Sequence, residues 1–192
     1  MLRTDEDLVA AVRAGEATAF DQLMLRWDRK IRGAAYRVLG SDDEAREVTQ
    51  EAFLRAFRHL QSFKEEARFS SWLYQIALNL CRDRLRRRRG REFVSLDEVA
   101  ETAPAGLRSE PSALELVEAK DLSRVIAVAV EALSEEQREV VVLKEYQGLT
   151  FPEIAEVLGV PVSTVKTRLY RALSQLRVRL ERRGIGPSEA RM

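Results

Sequence analysis

Apolar residues recur at three- and four-residue steps through most of the chain, a period that predicts helices rather than strands. Thr4 opens a Thr-x-x-Asp cap before a short helix ending near Gly15. In the next helix Phe20, Leu23, Trp27, Ile31, Ala34 and Val38 form one face, and Gly40 stops it. Ser41 and Glu44 then form a capping box for a helix running to about Leu60, with Val48, Ala52, Ala56 and Leu60 turned inward. The polar stretch QSFKEEARFSS predicts a loop. Beyond it, RFSSWLYQIALNLCRDRLRRRRG predicts a fourth helix whose apolar side carries Leu73, Tyr74, Ala77, Leu80, Cys81 and Leu85.

The period lapses over residues 91–116, where Pro104, Gly106 and Pro111 stand among acids and small residues, so this segment predicts a linker. It returns from about Leu116 to Glu131. Ser134 and Gln137 make a second box, for a helix holding Val140, Val141, Leu143 and Lys144 that ends at Gly148. In GLTFPEIAEVLGVPVSTVKTRLYRALSQLRVRL, a third box (Thr150, Glu153) with Pro152 in the first turn starts a short helix. Gly159 breaks it, and a new helix begins around Ser163, itself a good N-cap, with Val165, Leu169, Ala172 and Leu176 on its buried face. Helix, glycine turn and helix at this spacing are a helix-turn-helix. The predicted fold is all-α. It comprises two small helical domains, 1–90 and 117–184, joined by an acidic flexible linker at 91–116 and followed by a tail at 185–192.

Charge sharpens this picture. The net charge of +1 hides segregation: residues 82–91 hold seven arginines against Asp83, residues 92–119 carry seven acids against Arg108, and residues 160–184 hold seven cations against Glu181. Two basic blocks flanking an acidic one suit two polyanion-binding faces joined by a segment that avoids them. Cys81, the single cysteine, is expected to be a reduced, buried thiol, which implies no disulfide scaffold. No apolar run approaches the ~18 residues of a membrane span, and the N-terminus lacks a signal-peptide core, so the expectation is cytoplasmic. His59 and Cys81 sit in no metal-ligand spacing, and no phosphate-binding glycine loop or nucleophile elbow is present, so neither cofactor, metal nor catalytic residue is expected.

The candidate chemistry lies on three helix faces. In the last helix Ser163, Thr167, Tyr170, Arg171 and Ser174 share one face, with Lys166 and Arg168 at its borders, a set of hydroxyls, an aromatic ring and cations suited to base edges and phosphates of duplex DNA. In the arginine-bearing helix Trp72, Gln75, Asn79, Arg82, Asp83 and Arg86 form a stripe. An exposed tryptophan beside an amide and arginines suits unstacked single-stranded bases, the alternative being a tryptophan packed under the KEEAR loop. In the third helix Glu47, Gln50, Glu51, Leu54 and Arg58 share a stripe that strands Leu54 on a polar surface, a candidate protein contact.

The segments VTQEAFLRAFR, RFSSWLYQIALNLCRDRLRR and LTFPEIAEVLGVPVSTVKTRLYRAL, in that order, resemble the extracytoplasmic-function sigma factors, the compact two-domain members of the bacterial sigma family. The resemblance implies a non-catalytic transcription-initiation subunit that binds RNA polymerase core, reads a promoter and melts it. The first domain would be region 2, docking Glu47, Gln50, Glu51, Leu54 and Arg58 on the clamp helices of the largest subunit. Lys64, Arg68, Phe69, Ser71, Trp72, Gln75, Asn79, Arg82 and Arg86 would capture and hold melted minus-10 DNA. The second domain would be region 4, near the flap of the second-largest subunit, with Ser163, Thr164, Lys166, Thr167, Arg168, Tyr170 and Arg171 on the minus-35 duplex. An anti-sigma factor, which could hold the protein at the inner membrane, is the regulatory partner implied. A free-standing repressor with the same helix-turn-helix would bind duplex DNA without core but leaves the arginine-bearing helix without a role. An enzyme acting on nucleic acid finds no catalytic constellation in the sequence.

Overall fold

The computed structural model describes residues 3–63, 68–95 and 114–185. Its helices are α1 (Asp5–Arg13), α2 (Thr18–Leu39), α3 (Asp42–His59), α4 (Phe69–Ser95), α5 (Leu114–Glu131), α6 (Glu135–Val141), α7 (Phe151–Leu158) and α8 (Val162–Glu181), with no strand among the described residues. Local chemistry accounts for several of the starts. Thr4, Ser134 and Thr150 each form a reciprocal capping box with Asp7, Gln137 and Glu153, satisfying amides that have no partner within the helix. Gly40 and Gly159 end α2 and α7 in the left-handed region, at φ 73° and 66°, where a side chain is disfavoured.

Three predicted details differ. Ser41 accepts from the Glu44 amide at 3.4 Å, but the box is one-sided, because Arg88 of α4 takes the Glu44 carboxylate instead, its Nε at 3.2 Å; a guanidinium is a stronger, charged donor than a backbone amide. Ser163 is not the N-cap of α8, which begins one residue earlier, behind Pro161, and has no side-chain cap. The linker expected at 91–116 yields both its ends to helix, since α4 continues to Ser95 and α5 starts at Leu114. Arginine is a good helix former, and the run carries α4 through Gly90. The rest of that segment, and the Lys64 position, lie outside the described residues.

Helices α1 to α4 pack as one unit. Phe20 meets Phe53 and Phe57 edge-on at 6.4 and 5.0 Å, and Trp27 stands edge-on to Tyr74 at 5.9 Å while its Nε1 donates to Asp5 at 2.9 Å. In the second unit α8 lies across α6 and α7, burying Val165, Leu169 and Ala172. The two units are not separate beads. Their buried apolar residues form one cluster, with α2 and α4 against α5, α6 and α7. A wide π-type turn at Val142–Tyr146 follows α6, closed by Gln147 N donating to Val142 O at 3.1 Å. Its extra residue re-phases the chain. Gln147 there accepts from the Tyr74 hydroxyl at 2.8 Å, and Tyr146 lies under the Arg37 guanidinium, 4.2 Å from its ring centre.

Candidate nucleic-acid and polymerase interfaces

On α8, Ser163, Lys166, Thr167, Tyr170 and Arg171 are exposed, Tyr170 to 64%. They share a face because Val165, Leu169 and Ala172, offset by a third to a half turn, are drawn into the core. The Gly159 turn sets the angle at which this face leaves α7. Thr167 donates its hydroxyl to Ser163 O at 2.9 Å, which leaves the oxygen free as an acceptor. The ammonium groups of Lys166 and Lys144 lie 5.6 and 5.0 Å from the centre of the Phe151 ring, a cation–π contact that steadies the Lys166 charge. Two members of the predicted set do not project with the rest. Thr164 is half-buried, and Arg168 turns back to Glu136 on α6 at 3.1 Å, its side chain only 24% exposed. Position 168 is at the stripe's border, and the carboxylate on α6 decides its direction.

The stripe on α4 is more altered. Gln75 and Asn79 are exposed, as the helical period requires. Trp72, read as exposed, is half-buried, its ring 4.9 Å from Phe63 and 6.1 Å from Phe69. Phe69 and Ser71 are buried, at 1% and 3% exposure, and so form the wall of this aromatic cluster rather than its surface. Three aromatics within ten residues, Phe63, Phe69 and Trp72, gain more from one another than from water. Trp72 keeps a partly exposed edge.

Three arginines, Arg68, Arg82 and Arg89, are occupied by the second unit. Arg82 forks onto Glu139 of α6, Nε and Nη2 each 2.7 Å from a carboxylate oxygen, while its Nη1 donates to Asn79 Oδ1 at 3.0 Å. Glu139 is 2% exposed, a carboxylate set among the buried Val140, Val141 and Val142. That hydrogen bond raises the Arg82 pKa above its ordinary value. Arg68 pairs with Glu153 on α7 and Arg89 with Glu135 on α6. Arg86 stays largely exposed and, among the described residues, pairs with Asp83 on its own helix. From the other side, Arg138 donates to Val38 O at 2.7 Å, capping the end of α2 from α6, and burial lowers its pKa. Glu153 sits below the usual carboxylate range, first because the Thr150 amide and hydroxyl bond it, with Arg68 adding to the effect. The Cys81 thiol lies beneath this interface, pushed up to about 12 by burial and then by the Glu139 charge.

On α3, Glu47, Gln50, Leu54 and Arg58 are exposed and Glu51 half-buried; Glu47 meets Arg84 at 2.7 Å and Glu51 meets Arg55 at 2.7 Å. Leu54 is 42% exposed, and the sequence reading missed its companion Phe57, exposed to 48% one turn on. With Met24 of α2 they rim an apolar groove floored by Phe20 and Phe53. Phe57 was legible as the i+3 neighbour of Leu54.

Residues 23–91 match the family model described as Sigma-70 region 2, and residues 123–176 match Sigma-70, region 4. Over 177 residues the chain is 36% identical to the ECF RNA polymerase sigma factor SigW of Bacillus subtilis (strain 168), an alignment covering 90% of this chain and 94% of that protein. Among solved structures, CnrH in complex with the cytosolic domain of CnrY superposes with a TM-score of 0.70 at 29% identity, covering 92% of this chain and 97% of that one. The sigma factor RpoE from Bartonella quintana, in complex with the anti-sigma factor NepR, gives 0.67 at 26% identity over 84% and 96%.

Proposed function

The chain belongs to the extracytoplasmic-function sigma factors of RNA polymerase, and on that premise we propose how its three faces divide the work of initiation. The exposed face of α8, with Lys166, Thr167, Tyr170 and Arg171, enters the major groove of the minus-35 duplex. Tyr170 and the hydroxyls meet base edges while the cations hold phosphate. The observation that carries this reading is that this face stands clear of both units behind the left-handed Gly159 turn, as a recognition helix must.

The stripe Gln75, Asn79, Arg82 and Arg86 on α4, with the open edge of Trp72, receives the melted minus-10 strand: arginines neutralise phosphate, and the amides and the ring hold an unstacked base. Phe69 and Ser71 serve it as supports. The groove of Leu54, Phe57 and Met24, rimmed by Gln50, docks on core polymerase, the clamp helices of the largest subunit being the partner, while the second domain lies near the flap of the second-largest. Chemistry on nucleotides is left to the polymerase, and the chain contributes no catalytic group or cofactor. A sigma factor similar to this chain is held by an anti-sigma factor, and we assign the same class of partner here. The protein works in the cytoplasm, where that partner could hold it at the inner membrane.

The test is transcription in vitro with core polymerase on genomic DNA, followed by mapping of start sites. Starts that require the protein, preceded by two shared sequence elements at a fixed spacing, support the reading. Operator binding without core, and no new starts with it, would assign the helix-turn-helix to a free-standing regulator instead.

A further inference from the structure

One arginine outside the DNA-facing stripes reaches the aromatic cluster of Trp72 from α1. Arg13 ends that helix, and its guanidinium crosses to the end of α3, 47 and 50 residues on in the chain. Nε donates to Leu60 O at 3.1 Å, Nη2 donates to Phe63 O, and the guanidinium carbon stands 5.9 Å from the centre of the Phe63 ring. Leu60–Ser62 is a 3-10 turn that Phe63 caps, and carbonyl oxygens at a helix end keep acceptor capacity that the helix does not use. A planar guanidinium holds two such oxygens at once and fixes the backbone between them. Phe63 in turn lies 4.9 Å from Trp72 and edge-on to Phe69 at 6.2 Å. The arm that carries Arg13 is itself clamped. Leu8 and Val9 of α1 are buried, Arg3 forks onto Glu16 at 2.8 and 3.0 Å, and Trp27 donates to Asp5.

Resting on the reading that Trp72 and Asn79 receive the melted strand, we propose that Arg13 is a positioning residue for base capture: by pinning Phe63 from α1, it sets the ring of Trp72 before DNA arrives. A receiving surface ordered in advance loses less freedom on binding and so binds more tightly. Trp72 is the member of the cluster for which this matters, because it is half-buried, with part of its ring against Phe63 and an edge left open to a base. Phe69 is buried at 1% and keeps its place by its own packing, whereas Phe63 is tied through its carbonyl to Arg13. Without those donors Phe63 loses its anchor, and the Trp72 ring loses the neighbour that orients it. Arg13 precedes residues 23–91, the stretch that matches region 2, so α1 extends the working unit beyond that stretch. It does not line the groove of Leu54 and Phe57, and core affinity is therefore independent of it.

The full chain labelled with fluorotryptophan gives one fluorine resonance for Trp27 and one for Trp72, and Trp72→Phe assigns them. Trp27 reports whether α1 stays docked, through its bond to Asp5, and Trp72 reports the cluster. In Arg13→Met the Trp72 resonance should move toward its position in the urea-unfolded chain while the Trp27 resonance stays. A stationary Trp72 resonance overturns the proposal. Should both move, Arg13→Lys is read in the same way, since lysine keeps the charge but lacks the fork that spans two carbonyls; both moving there as well makes Arg13 a support of α1 alone and overturns the proposal. The functional arm follows permanganate-detected melting of a mapped promoter by core polymerase with each variant. Arg13→Met should slow melting about tenfold at parental core affinity, because a misplaced receiving group loses rate steeply. In a chain that already carries Trp72→Ala it should add less than about twofold, because it acts through that ring. Equal slowing in both backgrounds, or parental melting in Arg13→Met, overturns the positioning role. Parental melting in Trp72→Ala instead removes the minus-10 reading on which the inference rests, so the two failures are told apart.

Discussion

Leu54 and Phe57 stand three residues apart on α3, each nearly half exposed, and together with Met24 they give an otherwise charged surface an apolar groove. Replacing Leu54 by glutamate should therefore lower affinity for core polymerase at least tenfold, or about 1.4 kcal/mol, with an unchanged melting temperature, because the side chain supports nothing beneath it. Co-purification with core at parental yield would count against the groove. Cys81 behaves in the opposite way. Its thiol is held neutral by burial, with its pKa raised from 9.0 to about 12, so the stabilisation is fully present below about pH 9 and is lost as pH rises toward 12. The stability difference between the parent and Cys81→Ala, read from urea melts, should be flat from pH 7 to 9 and shrink at pH 10 to 11. Iodoacetamide should leave the native thiol unmodified at pH 8 and alkylate it in urea.

At the scale of elements, the helix-turn-helix depends on one backbone conformation. Gly159 holds φ 66° with open space where a Cβ would stand, so Gly159→Ala should cost about 1 to 2 kcal/mol from backbone strain alone. Thermal melts would show it, and a variant as stable as the parent would mean that the turn does not need a left-handed residue. Such elements were legible in the sequence because their causes are local. Thr150, Glu153, Pro152 and Gly159 announce α7 by hydrogen bonds spanning three or four residues, and Val165, Leu169 and Ala172 fix which side of α8 is buried. Periodicity alone puts Trp72 on the wet side and Glu44 on Ser41, whereas Phe63, nine residues before Trp72, lies against its ring and Arg88, 44 residues away, takes the Glu44 carboxylate. The π-type turn at Val142–Tyr146 has no signature in residue type, although it brings Tyr146 and Gln147 to the first unit.

For the whole molecule, charge segregation marked two basic blocks but said nothing of which carboxylates the arginines would meet in the fold. The seven arginines of residues 82–91 read as a polyanion-binding block, whereas the fold gives Arg82 to Glu139, Arg88 to Glu44 and Arg89 to Glu135 by contacts between elements far apart in the chain. Exposed pairs such as Arg68 with Glu153 should weaken as salt screens them.

The central claim is that α8 grips paired strands while α4 holds an unpaired one, both in a single complex with core polymerase. Permanganate footprinting of a mapped promoter, combined with nuclease protection of the same complex, tests it most directly. The account predicts a protected duplex at the upstream element together with reactive thymines at the downstream one, both lost when core is omitted. Protection that persists without core, or a protected upstream element with no reactive thymines in the complete complex, would contradict it.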